Sequence, residues 1–182
     1  FSHGITKRIA NEDLSSFDYI FCWLGNTDLL VSIIKLIEDK MNLEHDVSEV
    51  GVQIILLVED GIRFYSSILP NLYKFVLKQS QEFSTEALNA HQRTLRMRGR
   101  PKIVLARTYD EAIGIYEKYK NNILGVITDV RFPRVERGEK DALAGIKLCA
   151  AIRKEDPFVP LIIQSSESEN VLYAAKYDEI GR

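Results

Sequence analysis

The stretch VQIILLVEDGIRFYSSILP, residues 52–70, decides the fold of this chain. Its aliphatic run from Ile54 to Val58 predicts a short strand buried on both faces, which is typical of a parallel sheet. Glu59 and Asp60 follow directly, where such a strand would end. Because a charge at the edge of a core loses hydration, two adjacent carboxylates there indicate a partner cation or a function.

Three further strands alternate with helices downstream of this stretch. The strands are predicted at KIVLA (102–106), ILGVITD (123–129) and VPLIIQSS (159–166). Helices are predicted over about 62–97, 109–120, 143–154 and 167–182. Pro70 either kinks the first of these regions or starts a second helix there. Thr108 and Glu111 form a capping box at the start of the helix over 109–120. This alternation implies an α/β fold whose parallel sheet is covered by helices on both faces.

The first fifty residues have a pattern of their own. DYIFCWL (18–24) predicts a strand, and a turn is expected at Gly25 and Asn26. Thr27 is the predicted N-cap of the helix that begins TDLLV. The polar run NLEHDVSEVG (42–51), which ends in glycine, predicts a linker before the strand at 54–58.

Composition sets limits on the class of protein. With 182 residues, 46% of them hydrophobic and 27% charged, the chain is expected to be soluble and globular. A formal charge of -2 favours neither nucleic acid nor an anionic membrane as a partner. Cys22 and Cys149 lie far apart in apolar patterns, so buried reduced thiols and a cytoplasmic location are expected. No membrane span or signal peptide is predicted, and the missing initiator Met indicates a piece of a longer protein.

Oxygen-bearing side chains end three of the predicted strands. Glu59 and Asp60 follow the first, Asp129 ends the third, and Ser165 and Ser166 end the fourth. Ligands of such sheets bind at the carboxyl ends of the strands, so these groups are expected to converge. Three carboxylates repel one another unless a cation lies among them, and hard oxygen ligands with room for water suit Mg²⁺. A carboxylate beside such a metal can accept a phosphoryl group.

Ordinary capping is the alternative for each of these residues taken singly. Asp129 could be a turn residue or a helix N-cap, and Ser165 could cap the last helix. Their joint placement at three strand ends favours a common site. His91, within the basic stretch HQRTLRMRGRPK (91–102), is expected to be an exposed helix residue. The basic stretch could dock an acidic partner, but a solvated helix end is favoured.

The runs IILLVED, GVITDVRFP and AGIKLCAAIRKEDPFVPLIIQSS carry a family resemblance. In this order they resemble the response-regulator receiver (CheY-like) domain of two-component signalling, over about residues 52–182. The resemblance implies a flavodoxin-like, doubly wound parallel sheet in three α/β/α layers. It also implies Mg²⁺ as cofactor, a histidine kinase, phosphotransfer protein or small phosphodonor as partner, and a linked output domain.

The resemblance assigns roles to single residues. Glu59 and Asp60 match the acidic pair that binds Mg²⁺, and Asp129 matches the phosphoacceptor, which also binds the metal. Arg131 matches the position that gives its backbone carbonyl to the metal. Ser165 matches the switch hydroxyl that hydrogen-bonds the phosphoryl group. Pro133 matches the proline that follows.

The chain departs from the family pattern in three places. The family has a fifth strand whose Lys pairs with the phosphoryl group, and this chain ends before one can occur. The helical region 62–97 is longer than the usual single helix. The loop from Pro133 to Gly145 carries extra residues, VERGEKDA (135–142) among them.

The upstream segment KRIANEDLSSFDYIFCWLGNTDLLVSIIKLIEDK itself resembles the fourth helix, fifth strand and fifth helix of a receiver. Cys22 stands at the position expected for the Lys, and Trp23 where a proline is common. Residues 1–48 are therefore expected to be the end of an upstream receiver-like domain plus a linker, and 52–182 a receiver without its last strand and helix. Residues 19–24 could fill the vacant fifth-strand place beside 161–164, or do so in a swapped homodimer.

Two functions follow for the chain. The leading one is a non-enzymatic signalling receiver that is phosphorylated on Asp129 and regulates an output domain. The alternative is a degenerate receiver that acts as a phosphorylation-independent interaction or dimerisation module. GIRFYSSILPNLYK and HQRTLRMRGRPKI also resemble the regulatory front end of proteins related to phosphoenolpyruvate synthase and pyruvate phosphate dikinase. A dinucleotide-binding domain is disfavoured because no glycine-rich turn follows the first strand, and a phosphatase because Arg131 rather than an acid stands two positions after Asp129.

Overall fold

The computed structural model describes residues 16–85 and 99–165, and the side chains of 83–85 are outside that description. Strands and helices alternate along these ranges, as the sequence predicts. In chain order they are α1 Asp28–Val50, β1 Ile54–Val58, α2 Ile62–Thr85, β2 Lys102–Ala106, α3 Tyr109–Tyr119, a 3₁₀ turn Lys120–Asn122, β3 Ile123–Asp129, β4 Phe132–Pro133, β5 Lys140–Asp141, α4 Ala144–Glu155 and β6 Leu161–Gln164.

Four of the strands form one parallel sheet in the order β2-β1-β3-β6. Strands alternate with helices, and the second, first, third and last of these sheet strands lie side by side in that order. Both features are those of the flavodoxin-like doubly wound class. The predicted α/β fold is therefore confirmed. The remaining two strands, β4 and β5, form a small antiparallel hairpin in the loop after β3.

Helices cover both faces of the sheet, because successive residues of a buried strand point to opposite sides. Leu56 faces the core formed with α3 and α4, where Tyr116 and Leu148 are buried. Leu57 faces the core formed with α1 and α2, where Leu36 and Tyr65 are buried. The central strand β1 is thus buried on both sides, as its unbroken aliphatic run predicts.

Helix α1 is fixed to the sheet by a buried carboxylate. Asp39 is fully buried, and the Arg100 guanidinium donates to both its oxygens, at 2.6 and 3.1 Å. The Tyr73 hydroxyl and the Ile103 backbone N–H also donate to Asp39, at 2.9 and 3.0 Å. Burial, and next the charge of Asp39, raise the pKa of Tyr73. The charge of Asp39 is therefore matched on every side by protein donors.

The linker predicted over 42–51 is instead helical, because α1 continues to Val50 and ends at Gly51 in a left-handed conformation. Leu43 and Asp46 are buried at helical spacing, and Asp46 pairs with the buried Lys102 at 2.6 Å. Thr27 stands at the N-cap position as predicted, but its side chain makes no cap hydrogen bond; the Asn26 carboxamide oxygen accepts the Asp28 N–H at 2.9 Å. The division into residues 1–48 and 52–182 stays a prediction.

The strand predicted over 18–24 is wrong, since this segment forms none. The Phe21 ring packs edge-on against Tyr65 of α2, with 5.6 Å between ring centroids, and the Cys22 N–H donates to Ser66 at 3.0 Å. The Tyr65 hydroxyl donates to the Ile20 carbonyl. The alternating aromatic residues Tyr19 and Phe21 are partly buried against the core formed with α1 and α2 rather than beside a strand, so within this chain they do not supply a fifth strand next to β6.

Helix α2 continues through Pro70 to Thr85. Three sets of predictions lie outside the described residues. They are those for residues 1–15, for 86–97 with His91 and most of its basic stretch, and for the helix over 167–182 with Ser166. Among the helices of the described ranges, none has the length and apolar character needed to cross a bilayer.

Candidate functional site

The carboxylates of three residues converge at the carboxyl edge of the sheet. Strands β1 and β3 are neighbours, with Val58 paired to Thr128, so the residues that follow Val58 lie beside Asp129. Glu59, Asp60 and Asp129 each offer a carboxylate oxygen within 4.8 Å of the other two. The structure therefore brings together the three acids that the sequence predicts as one site.

Glu59 is the most deeply buried of these acids, with 4% of its surface exposed. Its Oε1 accepts the Gly61 N–H at 2.9 Å, and its own N–H donates to Ala106 of β2 at 3.0 Å. Burial raises the pKa of Glu59 to about 7 against the opposing effect of the Gly61 bond, and the charges of Asp129 and Asp60 add to the increase. A cation among the three acids would reverse that charge effect.

Asp129 stands at the last position of β3 and is partly buried. Its Oδ1 accepts the Val130 N–H at 2.7 Å. Burial raises its pKa, the Val130 bond opposes this, Asp60 raises the pKa further, and a bond from the Arg131 N–H lowers it. The backbone thus orients this carboxylate without neutralising its charge.

Asp60 uses its two oxygens differently. Oδ2 lies 2.5 Å from the Lys140 ammonium, whose side chain is 47% exposed. Oδ1 is buried and has no hydrogen-bond partner among the described residues. An unpartnered buried carboxylate oxygen is costly, and it is a hard ligand of the kind that Mg²⁺ takes. The donor set and this orphaned oxygen therefore fit a divalent cation.

Helix α4 packs tightly against the end of β3. A Cβ added to Gly145 would lie 2.0 Å from the carbonyl oxygen of Asp129, so only glycine fits there. The Gly145 N–H donates to the Val130 carbonyl at 3.0 Å. This close approach fixes the peptide that carries the acid, and none of the sequence motifs identifies it.

Ser165 and two of the acids, Glu59 and Asp129, line one cavity of about 220 Å³. Gln164 lines it as well. Side chains from the first two turns of α2 complete the lining; they are Phe64, Ser67 and Ile68. The predicted serine therefore shares a cavity with two of the three predicted acids, and the contribution of α2 is new.

Two further residues lie at this edge of the sheet, and one of them is predicted by the sequence. Arg131 is exposed, and its N–H faces Asp129, while its predicted role as a carbonyl ligand stays untested. Lys140 is not among the predicted site residues, although it lies in the segment that is extra relative to the receiver pattern. Its only signal in the sequence is a lone lysine in an insertion that follows the acid-bearing strand, and spacing alone does not aim that lysine at Asp60.

Comparison with known proteins gives one structural similarity. No family model matches the chain, and no curated protein matches it. The chain is similar to the crystal structure of a response regulator receiver domain protein from Clostridium thermocellum, with 23% identity over 69% of this chain and 75% of that one and a TM-score of 0.42. At that level the likeness adds no argument to the strand order and site geometry. The expected links to a preceding receiver-like domain and to phosphoenolpyruvate synthase stay predictions.

Proposed function

We propose that this chain is a signalling receiver in which Asp129 accepts a phosphoryl group in the presence of Mg²⁺. The observation that carries the proposal is the convergence of Glu59, Asp60 and Asp129 within 4.8 Å at the carboxyl edge of a parallel sheet. The flavodoxin-like strand order supports it, since it is the order of a receiver. On this proposal the domain has no diffusing substrate to turn over and is not an enzyme.

The proposed reaction is a single phosphoryl transfer to the Asp129 carboxylate. A carboxylate oxygen attacks the phosphorus of the donor, the bond from phosphorus to the donor atom breaks, and the leaving group departs with its electron pair. The Val130 N–H holds Oδ1 at 2.7 Å and so keeps the carboxylate in a fixed orientation. When bound, Mg²⁺ supplies positive charge for the phosphoryl oxygens.

All three acids would hold the cation, Asp129 together with the side chains of Asp60 and Glu59. Asp60 offers its unpartnered buried oxygen directly. Glu59, whose Oε1 already accepts the Gly61 N–H, would act through a water molecule. Mg²⁺ keeps several waters in its octahedral shell, so direct carboxylates from Asp60 and Asp129 and a water-mediated one from Glu59 suit it.

The Ser165 hydroxyl would bind the phosphoryl group on Asp129 and so respond to its charge. It lines the same cavity as Asp129, at the end of β6, and a hydroxyl can donate to a phosphoryl oxygen. Movement of the serine toward the phosphoryl group would shift the end of β6 and change the surface that an output domain or partner contacts.

The experiment is incubation of the 182-residue chain with acetyl phosphate and Mg²⁺, followed by intact-mass measurement. We expect one phosphoryl group per chain, lost in Asp129→Asn and on chelation of the metal. Asp110→Asn is the matched control, since Asp110 is an aspartate of α3 paired with Arg134 outside the acidic cluster. Labelling that persists in Asp129→Asn would overturn the proposal.

A phosphorylation-independent interaction module is the second candidate. It is favoured by two large aromatic side chains exposed on α2, Phe64 at 51% and Phe75 at 62%. Exposed aromatic groups on one helix are typical of an interaction surface. Analytical ultracentrifugation distinguishes the candidates: this one predicts self-association that Phe75→Ser weakens and Asp129→Asn leaves unchanged.

A further inference from the structure

Lys140 is held in place by the hairpin that follows β3. Its backbone pairs with Pro133, and its neighbour Asp141 pairs with the fully buried Phe132. The Asp141 carboxylate accepts the Leu143 N–H at 2.9 Å, which ties the hairpin to the start of α4. Lys140 is therefore anchored on both sides and does not belong to a free loop.

The side chain of Lys140 reaches into the acidic site. Its ammonium contacts Asp60 Oδ2 at 2.5 Å, and the Asp60 side chain is only 15% exposed. The positive charge also acts on the other two acids, since it lowers the pKa of both Glu59 and Asp129. The Lys140 ammonium thus interacts electrostatically with all three carboxylates.

The charges at the site are unequal. Glu59, Asp60 and Asp129 carry three carboxylates, and Lys140 is the cation whose contact with them the structure describes. A phosphoryl group on Asp129 would bring further negative charge into the same space. A half-exposed lysine on a flexible stem can turn from Asp60 toward such a group, and its three N–H donors suit phosphoryl oxygens.

We propose that Lys140 is the protein's own phosphoryl-binding cation: it pairs with Asp60 while no divalent ion is bound and with the phosphoryl oxygens once Asp129 carries the group. This inference rests on the proposed function of Asp129. The extra residues of the loop after β3 then have a purpose, which is to bring a lysine to the acidic edge from a position that the sequence motifs do not include. Lys140 acts on the transferred group itself and is a catalytic residue in that sense.

The test measures two affinities of the 182-residue chain, for Mg²⁺ alone and for beryllofluoride, a phosphoryl mimic, at saturating Mg²⁺. We expect Lys140→Met to weaken beryllofluoride binding about tenfold or more, because a charge-assisted contact is lost. The same variant should bind Mg²⁺ as tightly as the wild type or several-fold more tightly, because a competing cation leaves Asp60. Lys140→Arg should restore most of the beryllofluoride affinity.

Lys120→Met is the matched control, since Lys120 is similarly exposed, at 56%, and pairs with Glu155 away from the site. It should change neither affinity. Two outcomes would overturn the inference while leaving the proposed function intact: unchanged beryllofluoride binding in Lys140→Met, or a parallel loss of both affinities, which indicates a merely structural hairpin. If the wild type shows no beryllofluoride binding that depends on Asp129, the proposed function fails and the inference fails with it.

Discussion

Two clusters of charge lie at opposite ends of the same sheet and are built differently. At the start of β2, the carboxylates of Asp39 and Asp46 face the cations of Arg100 and Lys102, all four nearly or fully buried. At the carboxyl edge, three carboxylates face Lys140, and one oxygen of Asp60 has no partner in the described part of the chain. The first cluster is balanced in charge, and the second carries more negative than positive charge.

The difference distinguishes a cluster that anchors helix α1 to the sheet from a cluster that can bind a ligand. A buried carboxylate whose donors all come from the protein has nothing left to bind, so the Asp39 cluster fixes the position of α1. A carboxylate set with surplus negative charge destabilises the fold until a ligand supplies the missing charge. Each of the following predictions tests one side of this comparison.

The largest effect is expected from Asp39→Ala. It leaves the Arg100 guanidinium buried without its partner, and breaking such a pair costs about 3–5 kcal/mol of unfolding free energy. Denaturant unfolding measures it. Glu38→Ala is the control on the same helix, where an exposed pair with Lys35 is worth less than about 1 kcal/mol. Equal losses in the two variants would contradict the anchor role.

The next effect concerns the backbone beneath the site. Gly145→Ala places a Cβ against the Asp129 carbonyl, so we expect a loss of about 1–3 kcal/mol and weaker Mg²⁺ binding. Gly114→Ala is the matched control in helix α3, since its Cβ would meet nothing within 4 Å, and it should stabilise by about 0.5–1 kcal/mol. Thermal unfolding and metal titration check both. A neutral Gly145→Ala would mean that the contact is loose.

The pH dependence of stability separates the acidic site from the charge-balanced cluster. The pKa of Glu59 is raised to about 7 from an ordinary 4.5, chiefly by burial. Its proton therefore stabilises the fold fully below pH 4.5, and this contribution is lost as the pH rises through about 7. Glu59→Gln lacks this dependence, so without metal it should gain about 1–2 kcal/mol over the wild type between those pH values. A difference that stays flat with pH would argue against the burial of that charge.

The smallest effect is stabilisation by Mg²⁺ itself. At about ten times its dissociation constant, a ligand that binds only the folded state adds about 1.4 kcal/mol. We expect this gain in the wild type and in Asp39→Asn, and its loss in Asp60→Asn, which keeps the shape of the side chain but loses the charge. Differential scanning fluorimetry against metal concentration measures it. A gain retained by Asp60→Asn would move the cation elsewhere.

The sheet is predictable from the sequence because local patterns specify it. An unbroken run such as IILLV can be satisfied only by burial on both faces, and acids directly after such strands must meet at one edge. The grouping of the site acids with Ser165 therefore follows from the strand pattern alone. The predicted strand over 18–24 failed because Tyr19 and Phe21 alternate as strand residues do, yet pack against helices.

The features that the sequence does not reveal depend on contacts between distant residues. Asp46 in a polar run looks like linker, and only its pairing with Lys102 of β2 explains why the run is helical. Lys140 lies 80 positions after Asp60 in the chain. Only the fold of the β4–β5 hairpin brings its ammonium to the Asp60 carboxylate. Charge pairs of this kind leave no periodic signal, so composition and spacing do not reveal them.

The contact between Gly145 and the Asp129 carbonyl also has a consequence for how a signal could travel. Because this contact has no slack, a displacement of the acid's peptide is passed to the first turn of α4 rather than absorbed. Helix α4 has 12 residues and so carries that displacement about 18 Å. It ends next to a loop in which Phe158 is 90% exposed. A displacement of the Asp129 peptide would in this way reach the surface beside Phe158 at the opposite edge of the sheet.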